Sequence, residues 1–160
     1  MFKKEFSNDI SINEISIKSN TDLTDLLKLR NEPESISLSL SQKKVTPKEH
    51  INWIKEKFKD EYFQVFLLKI FNKPIGFARL EKLDHTEPIK QLISIYINKD
   101  YQKIGLGTFT LETVLEQAKS NIILALIRVD NFKSKVFFQK FNFKKVESGD
   151  EDFDLYELCK

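Results

Sequence analysis

Two of the chain's four glycines stand two positions apart in one heptapeptide, Gln102-Lys103-Ile104-Gly105-Leu106-Gly107-Thr108. Before it, Gln91 to Ile97 reads as a strand. After it, Gly105 to Lys119 reads as a helix with Leu111, Val114, Leu115 and Ala118 on one face. Ile122 to Val129 follows, apolar on both faces as a central strand should be. A strand, a glycine turn, a helix and a second buried strand form a crossover unit. That unit makes an α/β sheet with helices packed against it.

The rest of the chain supplies the flanks. Ser11 to Lys18 alternates, with Ile12, Ile15 and Ile17 broadly on one side, and predicts a first strand. Leu23, Leu26, Leu27 and Arg30 follow helical spacing behind the cap region Asn20-Thr21-Asp22. Ser35 to Ser41 alternates like a strand and reads equally as a loop over a cleft. Thr46-Pro47-Lys48-Glu49 is a capping box with Pro at the first helical position, and Ile51, Ile54 and Phe58 continue its helix. Tyr62 to Phe71 and Ile75 to Leu83 form a hairpin around Asn72-Lys73-Pro74. Asn131 to Phe141 is a short helix, and Phe143 to Val146 and Phe153 to Leu158 are strands joined by an acidic turn. The order is β-α-α-β-β-β-α-β-α-β-β. No linker or repeat divides it, so one domain over residues 1–160 is expected.

Composition removes several function classes. With 26 basic and 24 acidic side chains interleaved, no phosphate-tracking stripe exists and nucleic acid is a poor partner. The longest apolar run, Ile122 to Ile127, is about a third of a membrane span. The N-terminal MFKKEFSND lacks the apolar stretch of a secretion signal. A single cysteine, Cys159, excludes an internal disulfide and points to a reduced, cytoplasmic setting.

The glycine turn admits three readings. A P-loop needs GxxxxGK[ST], and neither the second glycine spacing nor the lysine is present. A dinucleotide fingerprint needs a third glycine where Thr110 stands. A plain strain-relieving turn fits the spacing alone. Position adds chemistry, because the turn opens a helix and its free N–H groups meet the positive end of the helix dipole. Such a spot binds phosphate, and glycine lets the anion approach. Lys103 adds charge and Gln102 a donor.

The stretch Ile93 to Gly107, a strand leading into Gln-x-x-Gly-x-Gly, resembles the acetyl-CoA motif of the GNAT N-acetyltransferases. A second block, Val129-Asp130-Asn131-Phe132-Lys133-Ser134 followed by Phe137-Phe138-Gln139-Lys140-Phe141-Asn142-Phe143, is similar to the family's Asn-x-x-Ser/Ala, aromatic pair and Gly-Phe. Together they cover about fifty residues. The resemblance implies a mixed, mostly antiparallel sheet with a splayed parallel central strand pair and flanking helices. It implies acetyl-CoA as cosubstrate and no metal. Ile95 and Ile97 would then offer backbone groups to pantetheine and thioester. Gln102, Lys103, Ile104, Gly105, Leu106, Gly107 and Thr108 would cradle the pyrophosphate, with Asn131 and Ser134 at the next helix start. Phe138 stands where the family often has a tyrosine acid, which leaves Tyr96 or a water to substitute. Asn142 replaces the family's glycine and tolerates the same left-handed helix end.

The implied reaction is direct acetyl transfer to an amine. Glu81, Asp84 and His85, where the third strand ends, are candidates to receive the amine proton, although a charge at such a position is more commonly a solvated loop charge. The segments Leu29 to Glu34 and Glu49 to Ile54 resemble GNAT enzymes that acetylate amino-sugar nucleotides. Related front halves occur in ribosomal-protein N-terminal and polyamine acetyltransferases. That resemblance assigns Arg30, His50 and Trp53 to an acceptor cleft, although a His or Trp on a helix commonly packs. A small-molecule amine, with an amino-sugar nucleotide favoured, is the partner implied; a peptide amine, a non-catalytic acyl-CoA module and a homodimer stay open.

Overall fold

The computed structural model describes residues 9–160. Residues 1–8, which hold most of the segment read above as no secretion signal, lie outside the described residues. The strands are β1 (Ile10–Glu14), β2 (Gln64–Ile70), β3 (Lys73–Lys82), β4 (Lys90–Ile97), β5 (Ile122–Arg128), β6 (Lys144–Val146) and β7 (Phe153–Cys159). The helices are α1 (Asn20–Arg30), α2 (Pro33–Leu38), α3 (Pro47–Lys57), α4 (Leu106–Gln117) and α5 (Phe132–Lys140). All seven strands form one sheet in the order β1-β2-β3-β4-β5-β7-β6. Every neighbouring pair is antiparallel except β4–β5. This is the expected mixed sheet.

Local chemistry explains most boundaries. Ser19 caps α1 by accepting the Asp22 N–H. The capping box of α3 is complete: Thr46 accepts the Glu49 N–H, and the Glu49 carboxylate accepts the Thr46 N–H at 2.8 Å. The helix α2 is a correction to the sequence reading, which gave residues 35–41 as a strand or a loop. Pro33 at its first turn starts a helix without losing a needed N–H. Six residues are too few to display a helical period, so the serine alternation masks it. Ser39 to Ser41 do form the loop over a cleft.

Because side chains alternate across a strand, β2 and β3 divide the apolar residues between two cores. Phe66, Ala78, Leu80 and Ile93 pack with Leu111 and Val114 of α4 and Phe138 of α5 on one face. Val65, Leu67, Phe77 and Tyr96 pack with Leu23, Leu26 and Leu29 of α1 and Ile54 of α3 on the other. The sheet therefore has a helix pair on each side. Gly76 is buried where β3 crosses the end of β4, and a Cβ there would lie 2.6 Å from the Tyr96 carbonyl oxygen. Only glycine permits that approach.

Candidate active site

The parallel ladder between β4 and β5 runs from Lys90 opposite Ile122 only as far as Ile93 opposite Ala125. Beyond it β4 stays paired to β3, out to Ile97 opposite Gly76. Likewise β5 stays paired to β7, out to Arg128 opposite Phe153. Each strand keeps its outer neighbour and loses the inner one, so the sheet opens a V with its apex at Ile93. A cleft of about 670 Å³ lies along the freed end of β4 at Ile95 to Ile97 and runs over the glycine turn and the first turns of α5.

The turn is built for close approach. Gly105, the N-cap of α4, has φ of 88°, a left-handed conformation that glycine adopts without strain. The first main-chain bond of α4 is the Phe109 N–H to the Gly105 carbonyl. The amides of Leu106, Gly107 and Thr108 precede it and carry the positive end of a twelve-residue helix. Lys103, Lys133 and Lys140 line the same cleft. A Cβ on Gly107 would stand 3.3 Å from Phe137 and 3.8 Å from Ile97, both cleft walls. Bare backbone, spare amides and three lysines suit a diphosphate.

Several residues expected at the cofactor are engaged within the protein instead. Gln102 Nε2 donates to the Ile97 carbonyl at 2.7 Å, and Lys133 donates to its Oε1, so Gln102 ties the strand end to the turn. The Leu106 side chain is buried and offers only its amide, while Ile104 is exposed and lies off the cleft. Asn131 caps α5 by accepting the Ser134 N–H at 3.1 Å, which leaves its Nδ2 donor to spare. Ile95, Ile97, Thr108 and Ser134 line the cleft. Phe138 is buried edge-on against Phe143 at 5.0 Å.

On the opposite face lies a second cavity of about 580 Å³, lined by Arg30, His50, Trp53, Arg79 and Glu81 among others. A smaller space of about 270 Å³ continues from Arg30 and Arg79 to Ile95 and Tyr96. The loop over these cavities is held by the Arg-Asn pair. Arg30 Nη2 donates to Ser39 Oγ at 3.0 Å and Ser41 Oγ at 3.1 Å, and Asn31 exchanges two bonds with the Val45 backbone. Trp53 packs edge-on against Phe63 at 5.5 Å and carries the Arg79 guanidinium over its ring at 5.0 Å. The three residues assigned to an acceptor cleft are thus brought together.

His50 is buried, and its Nε2 donates to the Leu23 carbonyl at 3.0 Å, joining α3 to α1. Burial holds its pKa below the ordinary imidazole range, with the Leu23 bond pulling the other way. The unfolded chain then binds more protons on this ring as pH falls through about 6.5, so stability drops in that window. The melting temperature is expected to fall between about pH 7 and 5, and less steeply in His50→Gln.

The candidate proton acceptors separate. Both Glu81 carboxylate oxygens are engaged, one by Lys57 at 2.8 Å and the other by Arg79 at 2.7 Å. Asp84 and His85 are exposed in the β3–β4 turn, beyond the Lys82–Gln91 pair and at the opposite end of β4 from the splay. Tyr96 is buried and lines both the cofactor cleft and the space behind it. Its hydroxyl donates to Glu32 Oε2 at 2.5 Å, and Asn98 Nδ2 donates to the same oxygen at 2.9 Å. Burial first, then the Glu32 bond and charge, push Tyr96 well above the ordinary tyrosine range, so the resting side chain is the neutral phenol. Arg79 does not stand out in the sequence, and Glu32 does so only within the segment Leu29 to Glu34, because Trp53 and Tyr96, which they meet, lie far along the chain.

A family model for the acetyltransferase (GNAT) family matches residues 23–143. The chain belongs to the GNAT acetyltransferase family. An N-acetyltransferase from Staphylococcus aureus Mu50 shares this GNAT fold at a TM-score of 0.76 and 22% identity, with 95% of this chain and 99% of that one covered. The protein yncA from Salmonella typhimurium, solved with its cofactor acetyl-CoA, superposes at a TM-score of 0.74 and 14% identity, covering 94% and 92%. An N-alpha-acetyltransferase of Saccharolobus solfataricus is 28% identical over 76 residues, 45% of this chain. That match spans 46% of the relative, under half its length. Among the described residues no cluster of three or more His, Cys, Asp or Glu could hold a metal ion. No described helix is long and apolar enough to cross a membrane.

Proposed function

We propose that this protein transfers an acetyl group from acetyl-CoA directly to a primary amine, with an amino-sugar nucleotide as the favoured acceptor. The observation that carries the reading is the splayed β4–β5 pair, which lets a cofactor cleft on one side meet an acceptor cavity on the other at Ile95 and Tyr96. The amides of Leu106, Gly107 and Thr108, with Lys103 and Lys133, hold the pyrophosphate, and Asn131 and Ser134 meet the cofactor beside them. When bound, acetyl-CoA supplies a thioester whose thiol, of pKa about 8.5, leaves without a strong acid.

The chain's own residues supply position and proton transfer. The inner edge of β4 beyond Ile93 turns backbone groups toward the gap, where N–H donors at Ile95 and Ile97 polarise the carbonyl oxygen. Tyr96 takes the proton released by the attacking amine on its hydroxyl oxygen as it passes its own to Glu32. Holding both substrates across one gap accounts for much of the acceleration. A reduced, cytoplasmic setting accords with the exposed free Cys159.

A second reading, transfer to a peptide α-amine, draws on the name of the Saccharolobus solfataricus relative. One assay divides these. Free thiol released from acetyl-CoA is measured against amino-sugar nucleotides, peptides and polyamines. Release with the first group alone is expected, release with peptides alone selects the second reading, and tight acetyl-CoA binding with no turnover on any amine overturns both.

A further inference from the structure

The acceptor cavity carries more positive charge than its walls neutralise. Arg30, Arg79, Lys43 and Lys44 line it, against Glu49 and Glu81. Neither carboxylate is free. Glu49 closes the capping box of α3, and Glu81 is shared between Lys57 and Arg79. Arg30 has only the hydroxyls of Ser39 and Ser41 as side-chain partners among the described residues. Both guanidinium groups also keep a buried nitrogen without an acceptor, Nη1 of Arg30 and Nε of Arg79. A half-buried cation with no counter-ion, beside a second one, costs stability unless something else supplies the anion.

The surrounding geometry favours a ligand over a structural defect. Trp53 stacks beneath Arg79 and the 39–41 loop fixes Arg30, so both planes are held while Arg79 shares its one carboxylate with Lys57 and Arg30 has none. A guanidinium presents paired donors that match the oxygens of a carboxylate or phosphate. Both arginines line the passage that ends at Tyr96 as well as the larger cavity. An anion there is therefore carried on the same molecule as the reacting amine.

We propose that Arg30 and Arg79 form an oxyanion seat that selects acceptors bearing a phosphate or carboxylate beside the amine. This rests on the acetyltransferase reading for the amine, while the anion seat itself is testable without turnover. Inorganic pyrophosphate is titrated calorimetrically into the full chain saturated with CoA. Saturable binding is expected, weakened at least tenfold in Arg30→Met and in Arg79→Met. The absence of saturable binding, or affinity unchanged in both folded variants, overturns the seat. Arg30→Lys, which keeps the charge without the fork, serves as the second variant if a methionine variant fails to fold, and a loss of at least threefold is expected.

Turnover arms then identify the source of the anion. Each of two pairs of amines differs only in the oxyanion: an amino-sugar nucleotide against the free amino sugar, and an amino acid amine against its decarboxylated counterpart. KM is expected at least tenfold lower for the charged member of one pair, and that advantage disappears in Arg30→Met with the KM for acetyl-CoA unchanged. A preference in the first pair selects phosphate, and one in the second selects carboxylate. Equal kcat/KM within both pairs overturns the proposal. If no amine turns over while arginine-dependent pyrophosphate binding persists, the acetyltransferase reading fails and the anion seat stands.

Discussion

Tyr96→Phe is expected to lower kcat about 100-fold while leaving KM for acetyl-CoA within about twofold, because general acid–base groups typically contribute 10²–10⁴. The substitution removes one oxygen and keeps the ring that packs against Phe77 at 5.8 Å. Melting temperature should therefore hold, apart from the loss of one hydrogen bond to Glu32. Glu32→Gln should lower kcat by a similar factor, since an amide cannot take the proton that Tyr96 passes on. The double variant decides whether they act as one relay. Residues working as a unit give non-additive losses, so Tyr96→Phe with Glu32→Gln should be about as slow as either alone. Multiplying losses near 10⁴ would mean two independent roles and would remove the relay.

The glycine turn is legible in the sequence from local signals, whereas Arg30, His50 and Trp53, which line one cavity, come only from a resemblance, for a physical reason. Gln102 to Thr108 does its work within a few residues of chain, where strand period, glycine spacing and helix start are all local signals. Its individual roles were less legible. Gln102 looked like a donor to the ligand, yet its amide is tied to the Ile97 carbonyl. The hydrogen bond of the proposed relay joins residues 32 and 96, and the arginine pair joins residues 30 and 79, so both form only once β3 and β4 are laid beside α1. Glu81, Asp84 and His85 fit the end of a strand by sequence, but Glu81 lines the acceptor cavity with both oxygens engaged, and antiparallel pairing sends Asp84 and His85 to the far end of β4 from the splay. The helix α2 was hidden because Ser35, Ser37 and Ser39 mimic a strand's alternation, although Pro33 marks its start. That short helix brings Glu32 and Glu34 toward Tyr96 and Gln102.

Gly107→Val should raise the Kd for CoA at least about 100-fold, equivalent to about 2.7 kcal/mol, and cost the fold less than that. The two glycines of the turn have different reasons to be bare. Gly105 needs its positive φ of 88°, so any side chain there strains the backbone and confounds binding with stability. Gly107 lies in the first turn of α4 and shows no such φ, which makes it the cleaner probe. A Cβ at Gly107 points between Phe137 and Ile97, and the branched carbons of valine extend into the space those walls enclose. Overpacking against Phe137 costs about 1–3 kcal/mol, part of it recovered because a helical glycine is itself unfavourable. A melting temperature lower by a few degrees with CoA binding abolished is the expected pair of results. Matched losses in both would mean that Gly107 serves the packing of α4 on α5 and not the cofactor. Gly107→Ala grades the effect, since its single methyl meets Phe137 at 3.3 Å and asks the ring to move only by a few tenths of an ångström. Intermediate CoA affinity at unchanged melting temperature would place the cofactor's path between Ile97 and Phe137.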